Sequence, residues 1–141
     1  MDPPRIDAID HFMTRDPVCI DAAQSIAGAY QKMLRIGCRH LPVLSAGKLV
    51  GLISLRGLYR LELRDSLART TRSAFDAAEE PFVVVPGTPV TEVAAQMAAS
   101  HFEAAIVVEG GQVVGIFTEA DALRALASIP FSENWPADTA A

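Results

Sequence analysis

The strongest constraint on this chain is an internal repeat. Sliding the sequence by 64 positions lays Pro17 to Arg60 on Pro81 to Arg124 without a gap. Pro17/Pro81, Met33/Met97, Val43/Val107, Gly47/Gly111, Val50/Val114, Gly51/Gly115 and Arg60/Arg124 are identical, and apolar character recurs at Ile20/Val84, Ile26/Val90, Leu44/Val108, Leu49/Val113 and Leu52/Ile116. Self-similarity at a fixed period marks one supersecondary unit used twice. A unit of about 50 residues buries too little apolar surface to be comfortably stable alone, so the two copies are expected to share a fold.

Within each copy, period and punctuation give the order of elements. A short apolar run after proline, Val18 to Ile20 and Phe82 to Val85, suits a strand. The spacings of Ile26, Ala29, Tyr30, Met33 and Leu34, and of Val90, Val93, Ala94, Met97 and Ala98, give one apolar face of a helix. Ser25 is a cap for the first helix; Thr88 with Pro89 serves the second as cap and first-turn proline. Two β-rich runs follow, Leu41 to Leu44 and Leu49 to Ser54, then Ala105 to Val108 and Val113 to Phe117, each pair split by a glycine-containing turn that reads as a hairpin. A closing helix starts near Ser54 or Thr118, with Leu55, Leu58 and Tyr59, or Ala122, Leu123 and Leu126, as its apolar face. The unit is β-α-β-β-α.

Upstream, Asp2-Pro3 can open a short helix with Ile6, Ile9 and Phe12 or Met13 inward. Glu62 to Glu80 is charged and alanine-rich, and the preceding helix is expected to extend into it. The tail carries Phe131 and Trp135 among prolines, as an extended segment docked by its aromatics would. Residues 1–68 thus form the N-terminal helix and first motif, and 69–141 the connector, second motif and tail.

Bulk properties narrow the function. The chain has 141 residues, half of them apolar, and a formal net charge of -5. No apolar run reaches the roughly 18 residues of a membrane span, and the acidic start is unlike a secretory signal, so a cytoplasmic protein without membrane attachment is expected. Net negative charge disfavours phosphate backbones. Arg60, Arg64, Arg69 and Arg72 could still make a basic stripe for RNA or DNA, but a solvated face accounts for them better, and no nucleic-acid partner is expected. Cys19 and Cys38 have no C-x-x-C spacing, and His11 and His101 have no partners at metal spacing, so no metal site is expected. The G-x-S-x-G elbow, the Walker A loop and H-E-x-x-H are all missing, which points away from an enzyme.

A tandem β-α-β-β-α repeat preceded by Met13-Thr14-Arg15-Asp16-Pro17-Val18 resembles the CBS-domain pair, the module named for cystathionine β-synthase. Arg39-His40-Leu41-Pro42-Val43 and the strand-to-helix junctions Gly51-Leu52-Ile53-Ser54-Leu55-Arg56-Gly57 and Gly115-Ile116-Phe117-Thr118-Glu119-Ala120-Asp121 carry the resemblance further. It implies an α/β (α+β) pair packed with pseudo-twofold symmetry and a cleft for AMP, ADP, ATP or S-adenosylmethionine as a regulatory ligand, with no prosthetic group. It implies as well a homodimer acting on an unknown regulated protein. The family pattern G-h-x-[ST]-x-x-[DN] maps onto Gly115, Ile116, Thr118 and Asp121. An aspartate can accept hydrogen bonds from ribose hydroxyls, and a threonine hydroxyl with free N–H groups at a helix start suits a phosphate oxygen. By the same resemblance Thr14, Pro17 and Val18 would meet the adenine, with Cys38, Arg39 and His40 completing the site from the first copy.

The first copy departs from the pattern. Ser54 is present, but Gly57 stands where Asp or Asn belongs, and Glu103 and Ala104 align with the basic pair Arg39 and His40. This weaker second site should hold ribose poorly, and Glu103 would repel a polyphosphate unless a cation or Arg39 neutralises it. A monophosphate, or a ligand whose own amine meets Glu103, stays open. Thr118-x-x-Asp121 is also the spacing of a capping box, in which both side chains only satisfy a helix start, and a ligand-independent dimerisation or scaffold module is the alternative to a sensor.

Overall fold

The structure, a computed structural model, describes residues 7–128. The expected roles of Asp2, Pro3, Ile6, Phe131 and Trp135 lie outside them. The chain enters through a 3-10 turn, Ile9–His11, whose Ile9 is fully buried. A short strand β1, Thr14–Arg15, follows. The first repeat is β2 (Ile20–Asp21), α1 (Ile26–Ile36), β3 (His40–Ser45), β4 (Lys48–Ser54) and α2 (Leu55–Arg64). After two single-turn helices, α3 (Ala68–Thr71) and α4 (Ala74–Ala77), the second repeat is β5 (Val83–Val84), α5 (Val90–Ser100), β6 (Ala104–Glu109), β7 (Gln112–Thr118) and α6 (Glu119–Ala127).

Local chemistry explains these boundaries. Ser25 caps α1 by accepting the Gly28 N–H at 3.0 Å, and Gly37, at φ 77°, ends it in the left-handed conformation. The buried stripe of α1 is Ile26, Ala29 and Met33, narrower than expected, because the helix leans on one sheet only and Leu34 stays 86% exposed. Helix α5 starts one residue later than a proline at its first turn would give. Pro89 is the N-cap residue, and the Thr88 hydroxyl bonds back to the Val85 carbonyl at 2.7 Å instead of capping. Helix α2 stops at Arg64, and the connector folds back so that Ala68 and Ala74 enter the first core. Both hairpins turn on two residues of positive φ, Ala46 and Gly47 in the first and Gly110 and Gly111 in the second. That two-residue geometry matches the twist of the flanking strands.

In each repeat the leading strand lies parallel to the first hairpin strand, β2 on β3 and β5 on β6, with the helix as the crossover. The sheets have the orders β2-β3-β4 and β1-β7-β6-β5. Strand β1, which precedes the first repeat, pairs antiparallel with β7 of the second, Thr14 opposite Ile116. Reciprocally, Glu79, which precedes the second repeat, exchanges two 2.9 Å backbone hydrogen bonds with Leu52 of β4. Each sheet is therefore edged by the lead-in to the other.

The aligned glycines make this crossing fit. A Cβ at Gly115 would stand 2.3 Å from the Met13 sulfur, and one at Gly51 would stand 2.6 Å from the Ala78 Cβ. Two cores result: Ile26, Met33, Leu41, Val43, Ile53 and Leu58 in the first, and Ile9, Val93, Met97, Ala105, Val107 and Phe117 in the second. The outer residues Leu123 and Leu126 of α6 remain exposed, and Ala125 is the apolar residue that helix buries, together with Asp121.

Phe117 is the largest fully buried side chain of the second core. Phe117→Ala is expected to cost about 3–5 kcal/mol by transfer and cavity terms. Because the sheets edge one another, urea unfolding should remain one transition, with amide protection lost together in both repeats. Ala46 holds φ 51° where the second hairpin has a glycine. Ala46→Gly removes that left-handed strain and should raise stability by up to about 1 kcal/mol in the same assay.

Candidate ligand-binding clefts

The strand-to-helix junction of the second repeat brings together five of the residues expected at the main site. Pairing of β1 with β7 sets Thr14 beside Ile116 and Arg15 beside Gly115. Thr118 is the N-cap of α6 and Asp121 its third residue, and a complete capping box joins them. Asp121 is 4% exposed and is the buried charged residue among those described. Its carboxylate accepts the Thr118 N–H at 3.0 Å and the Thr14 hydroxyl at 3.2 Å, and it pairs with Arg124. A carboxylate taken out of water needs such partners, since an unpaired one would be costly.

Capping and recognition are compatible here. The Thr14 hydroxyl reaches Asp121 from the far side of the repeat boundary, the two residues standing 107 positions apart in sequence. An alcohol is thus already what this carboxylate binds, beyond the needs of its own helix. Arg124 is largely exposed, so its guanidinium can follow a ligand anion.

The other expected members are distributed differently. Pro17 and Val18 continue directly from β1, and Val18 is 39% exposed. Cys38 packs half-buried against the first core, and burial pushes its thiol and that of Cys19 upward in pKa, which makes both poor nucleophiles. The Arg39 side chain is exposed and pairs with no carboxylate among the described residues; its carbonyl accepts the Leu55 N–H at the start of α2. His40 turns to the opposite junction, where its Nε2 lies 3.3 Å from Glu103.

At that opposite junction, in the first repeat, lies a cavity of about 380 Å³ lined by Ser54, Arg56, Glu79, Phe102, Glu103 and Ala104 among others. Ser54 caps α2 by accepting the Gly57 N–H at 2.9 Å. Glu103 is neutralised, but by Arg56 at 3.1 Å and not by Arg39, and the His40 Nε2 lies within hydrogen-bond distance of it. Phe82 stacks on Phe102 with ring centroids 4.9 Å apart and walls one side. Position 57 has no side chain, and the carboxylate of Glu79 fills the space: a Cβ on Gly57 would lie 3.0 Å from Glu79 Oε1. Sequence reasoning passed over Arg56 and Glu79. Arg56 sits at a variable place in the junction pattern. Glu79 aligns with Arg15, so the repeat itself offered no signal for it.

A second groove, of about 430 Å³, runs outside α1 past Gln24, Gln31 and Lys32, where Lys32 is tied to the Cys19 carbonyl at 2.7 Å. Two arginines of the expected basic stripe are spent in ion pairs within the first repeat and the connector. Arg69 pairs with Glu62 and covers the Tyr30 ring at 4.3 Å, and Arg72 pairs with Asp65. Among the described residues no group of three or more His, Cys, Asp or Glu is placed to hold a metal ion, and no helix is long and apolar enough to cross a membrane.

Comparison with known proteins agrees with this architecture. The profile of the CBS domain matches the chain twice, over residues 8–64 and 74–128. The chain is 33% identical over 123 residues to the zinc metalloprotease MJ0392 of Methanocaldococcus jannaschii, covering 87% of this chain but 33% of that protein. It therefore spans about a third of that relative. Among solved structures, AcuB of Vibrio cholerae superposes with a TM-score of 0.76 at 27% identity, covering 85% of this chain and 90% of the other. CBSX2 in complex with AMP superposes with a TM-score of 0.73 at 25% identity, covering 85% and 96%. With two profile matches on two β-α-β-β-α units that edge each other's sheets, the chain belongs to the CBS-domain family, as a tandem pair.

Proposed function

We propose that this pair is a cytoplasmic regulatory module, not a catalyst, that binds an adenosyl ligand between its repeats and passes occupancy to a partner protein. The observation that carries this is Asp121, a buried carboxylate at a strand-to-helix junction that already holds an alcohol from across the repeat boundary. CBSX2, of the same fold and 25% identical, is solved with AMP. In this chain a ribose diol would replace the Thr14 hydroxyl on Asp121, while Thr118, the start of α6 and Arg124 would face the 5′ group. Gly115, Ile116, Pro17 and Val18 would border the base, and Cys38 and Arg39 would approach from the first repeat.

Transmission follows from the crossing of the lead-in segments. Displacing Thr14 loosens or re-aims β1, which leads into the first repeat but belongs to the sheet of the second. A ligand shifts a conformational equilibrium only by its differential affinity for the two states, and a contact made across the repeat boundary supplies that difference. Titration of AMP, ADP, ATP and S-adenosylmethionine by calorimetry is the test. At least one should bind, and Asp121→Asn should weaken that binding about tenfold or more by removing a charge-assisted acceptor. Silence of the wild type to millimolar ligand sinks the proposal.

A dimerisation role is favoured separately by large apolar side chains exposed on helices and the connector: Leu34 at 86%, Leu63 at 88%, Leu67 at 64% and Leu123 at 66%. Isolated exposed leucines are ordinary, but these lie on α1, α2, the connector and α6, where a second copy would cover them. Sedimentation should show a homodimer that Leu63→Glu shifts toward monomer without loss of helix content. A monomeric wild type at micromolar concentration contradicts this role.

A further inference from the structure

Helix α6 carries apolar residues on both of its sides. Ala125 faces the core beside Asp121, while Leu123 and Leu126, one turn apart, stand 66% and 55% exposed on the outer side, with Ala120 and Ala127 exposed near them. Single exposed leucines are ordinary, but two neighbours bordered by small side chains make a shallow apolar strip. Arg124 flanks that strip. Its side chain is 70% exposed, and its guanidinium pairs with the Asp121 carboxylate. The strip therefore borders the junction of the second repeat.

The chain's own last residues match this face in reach, spacing and charge. They are tethered to the C-terminal end of α6, and Pro130 is unfit to continue a helix. Phe131 and Trp135 stand four positions apart, about 13 Å in an extended chain. The nine residues of α6 span about 14 Å. In an extended chain Phe131, Glu133 and Trp135 share one side. Residues 129–141 contain Glu133 and Asp138 and no Lys, Arg or His, so their charge is opposite to that of Arg124. Glu119 stands at the far end of α6, where this spacing brings Trp135 and not a carboxylate. A tether raises the effective concentration of the segment at the strip, which compensates for a small contact area.

We infer that residues 129–141 fold back along the outer side of α6 as a strap, with Phe131 on Leu126, Trp135 toward Leu123 and Glu133 at Arg124, and that the strap competes with the anionic group of a ligand for Arg124. The competition rests on the adenosyl reading of the pair; the docking does not. A ligand phosphate that takes Arg124 displaces Glu133, so binding at the Asp121 junction and release of the strap favour one another. Leu123 is shared with the face offered to a second copy, whereas Leu34, Leu63 and Leu67 lie on other segments and stay free for a dimer.

Trp135 is the single tryptophan of the chain, so its fluorescence reports the strap in the intact protein. Its emission should be blue-shifted and shielded from acrylamide, independently of protein concentration. Leu126→Gln should shift it to the red and open it to the quencher with helix content unchanged, and AMP should do so in part. By calorimetry, Leu126→Gln, Phe131→Ser and Glu133→Gln should each bind AMP about three- to tenfold more tightly than wild type, as expected when a competing state is emptied. A wild-type emission already that of a solvent-exposed indole, or one that Leu126→Gln leaves unmoved, overturns the docking. A blue shift that fades on dilution assigns the strip to a second copy and overturns it as well. Release of Trp135 by Leu126→Gln with AMP affinity unchanged overturns the competition. If AMP binds neither wild type nor variants, the adenosyl reading falls and the competition with it, while the Trp135 emission still decides whether the strap is seated.

Discussion

The structure depends on the exchange of lead-in segments between repeats. A β-hairpin backed by one helix leaves an open edge and a half-covered sheet, and neither is stable in a unit this small. Here β1 covers the edge of β7, and the stretch through Glu79 bridges to β4. Backbone hydrogen bonds that would otherwise face solvent are satisfied by the chain entering the opposite repeat. The repeats cannot separate without exposing both edges. Gly51 and Gly115 are the steric condition for this, since Ala78 and Met13 occupy the space a side chain would need. Their identity at aligned positions has a structural reason in addition to any ligand-binding one.

The same exchange creates the electrostatics of the repeat boundary. Thr14 arrives at Asp121 because β1 is held on β7, and Glu79 arrives at Gly57 because its backbone is held on Leu52. Glu103 then spans from the second repeat to His40 and Arg56 of the first. Each of these contacts joins residues far apart in sequence, so each responds to a change in the relation of the repeats. A molecule competing for Asp121 or Glu103 acts on that relation directly. Residues confined to one repeat, such as the cluster in which Arg69 of the connector meets Glu62 of α2 and Tyr30 of α1, have no such leverage and serve packing.

Much of the fold was legible because it is written twice. The 3.6-residue period gave α1 and α5, the glycine turns gave both hairpins, and Ser25 gave the start of α1. What the period could not give was which side of an apolar stripe faces a partner. Leu34, Tyr59, Leu123 and Leu126 satisfy helical spacing yet lie outside the cores, because each helix rests on one sheet and not between two. The breaks in the connector were equally hidden: an alanine-rich charged segment has helical propensity throughout, and only the burial of Ala68 and Ala74 folds it back. At the junction of the second repeat, Thr14, Gly115, Ile116, Thr118 and Asp121 were foreseen as a group and stand together. His40 was foreseen beside them but turns toward Glu103, a tertiary preference that no linear spacing encodes.

The asymmetry between the junctions follows from which chain segment owns the carboxylate. Asp121 is bound into its own helix by the capping box, so α6 and its acceptor move as one body. Glu79 belongs to a segment that α2 does not carry, and it meets α2 only at Gly57. Rotation of one repeat against the other would therefore leave the Thr118/Asp121 geometry intact while opening or closing the gap between Glu79 and Ser54. A pair built this way has one junction whose carboxylate is set by local structure and one whose carboxylate depends on the arrangement of the whole. Gly57, standing where α6 has Asp121, makes that second kind of junction, whose carboxylate is placed by the relation of the two repeats.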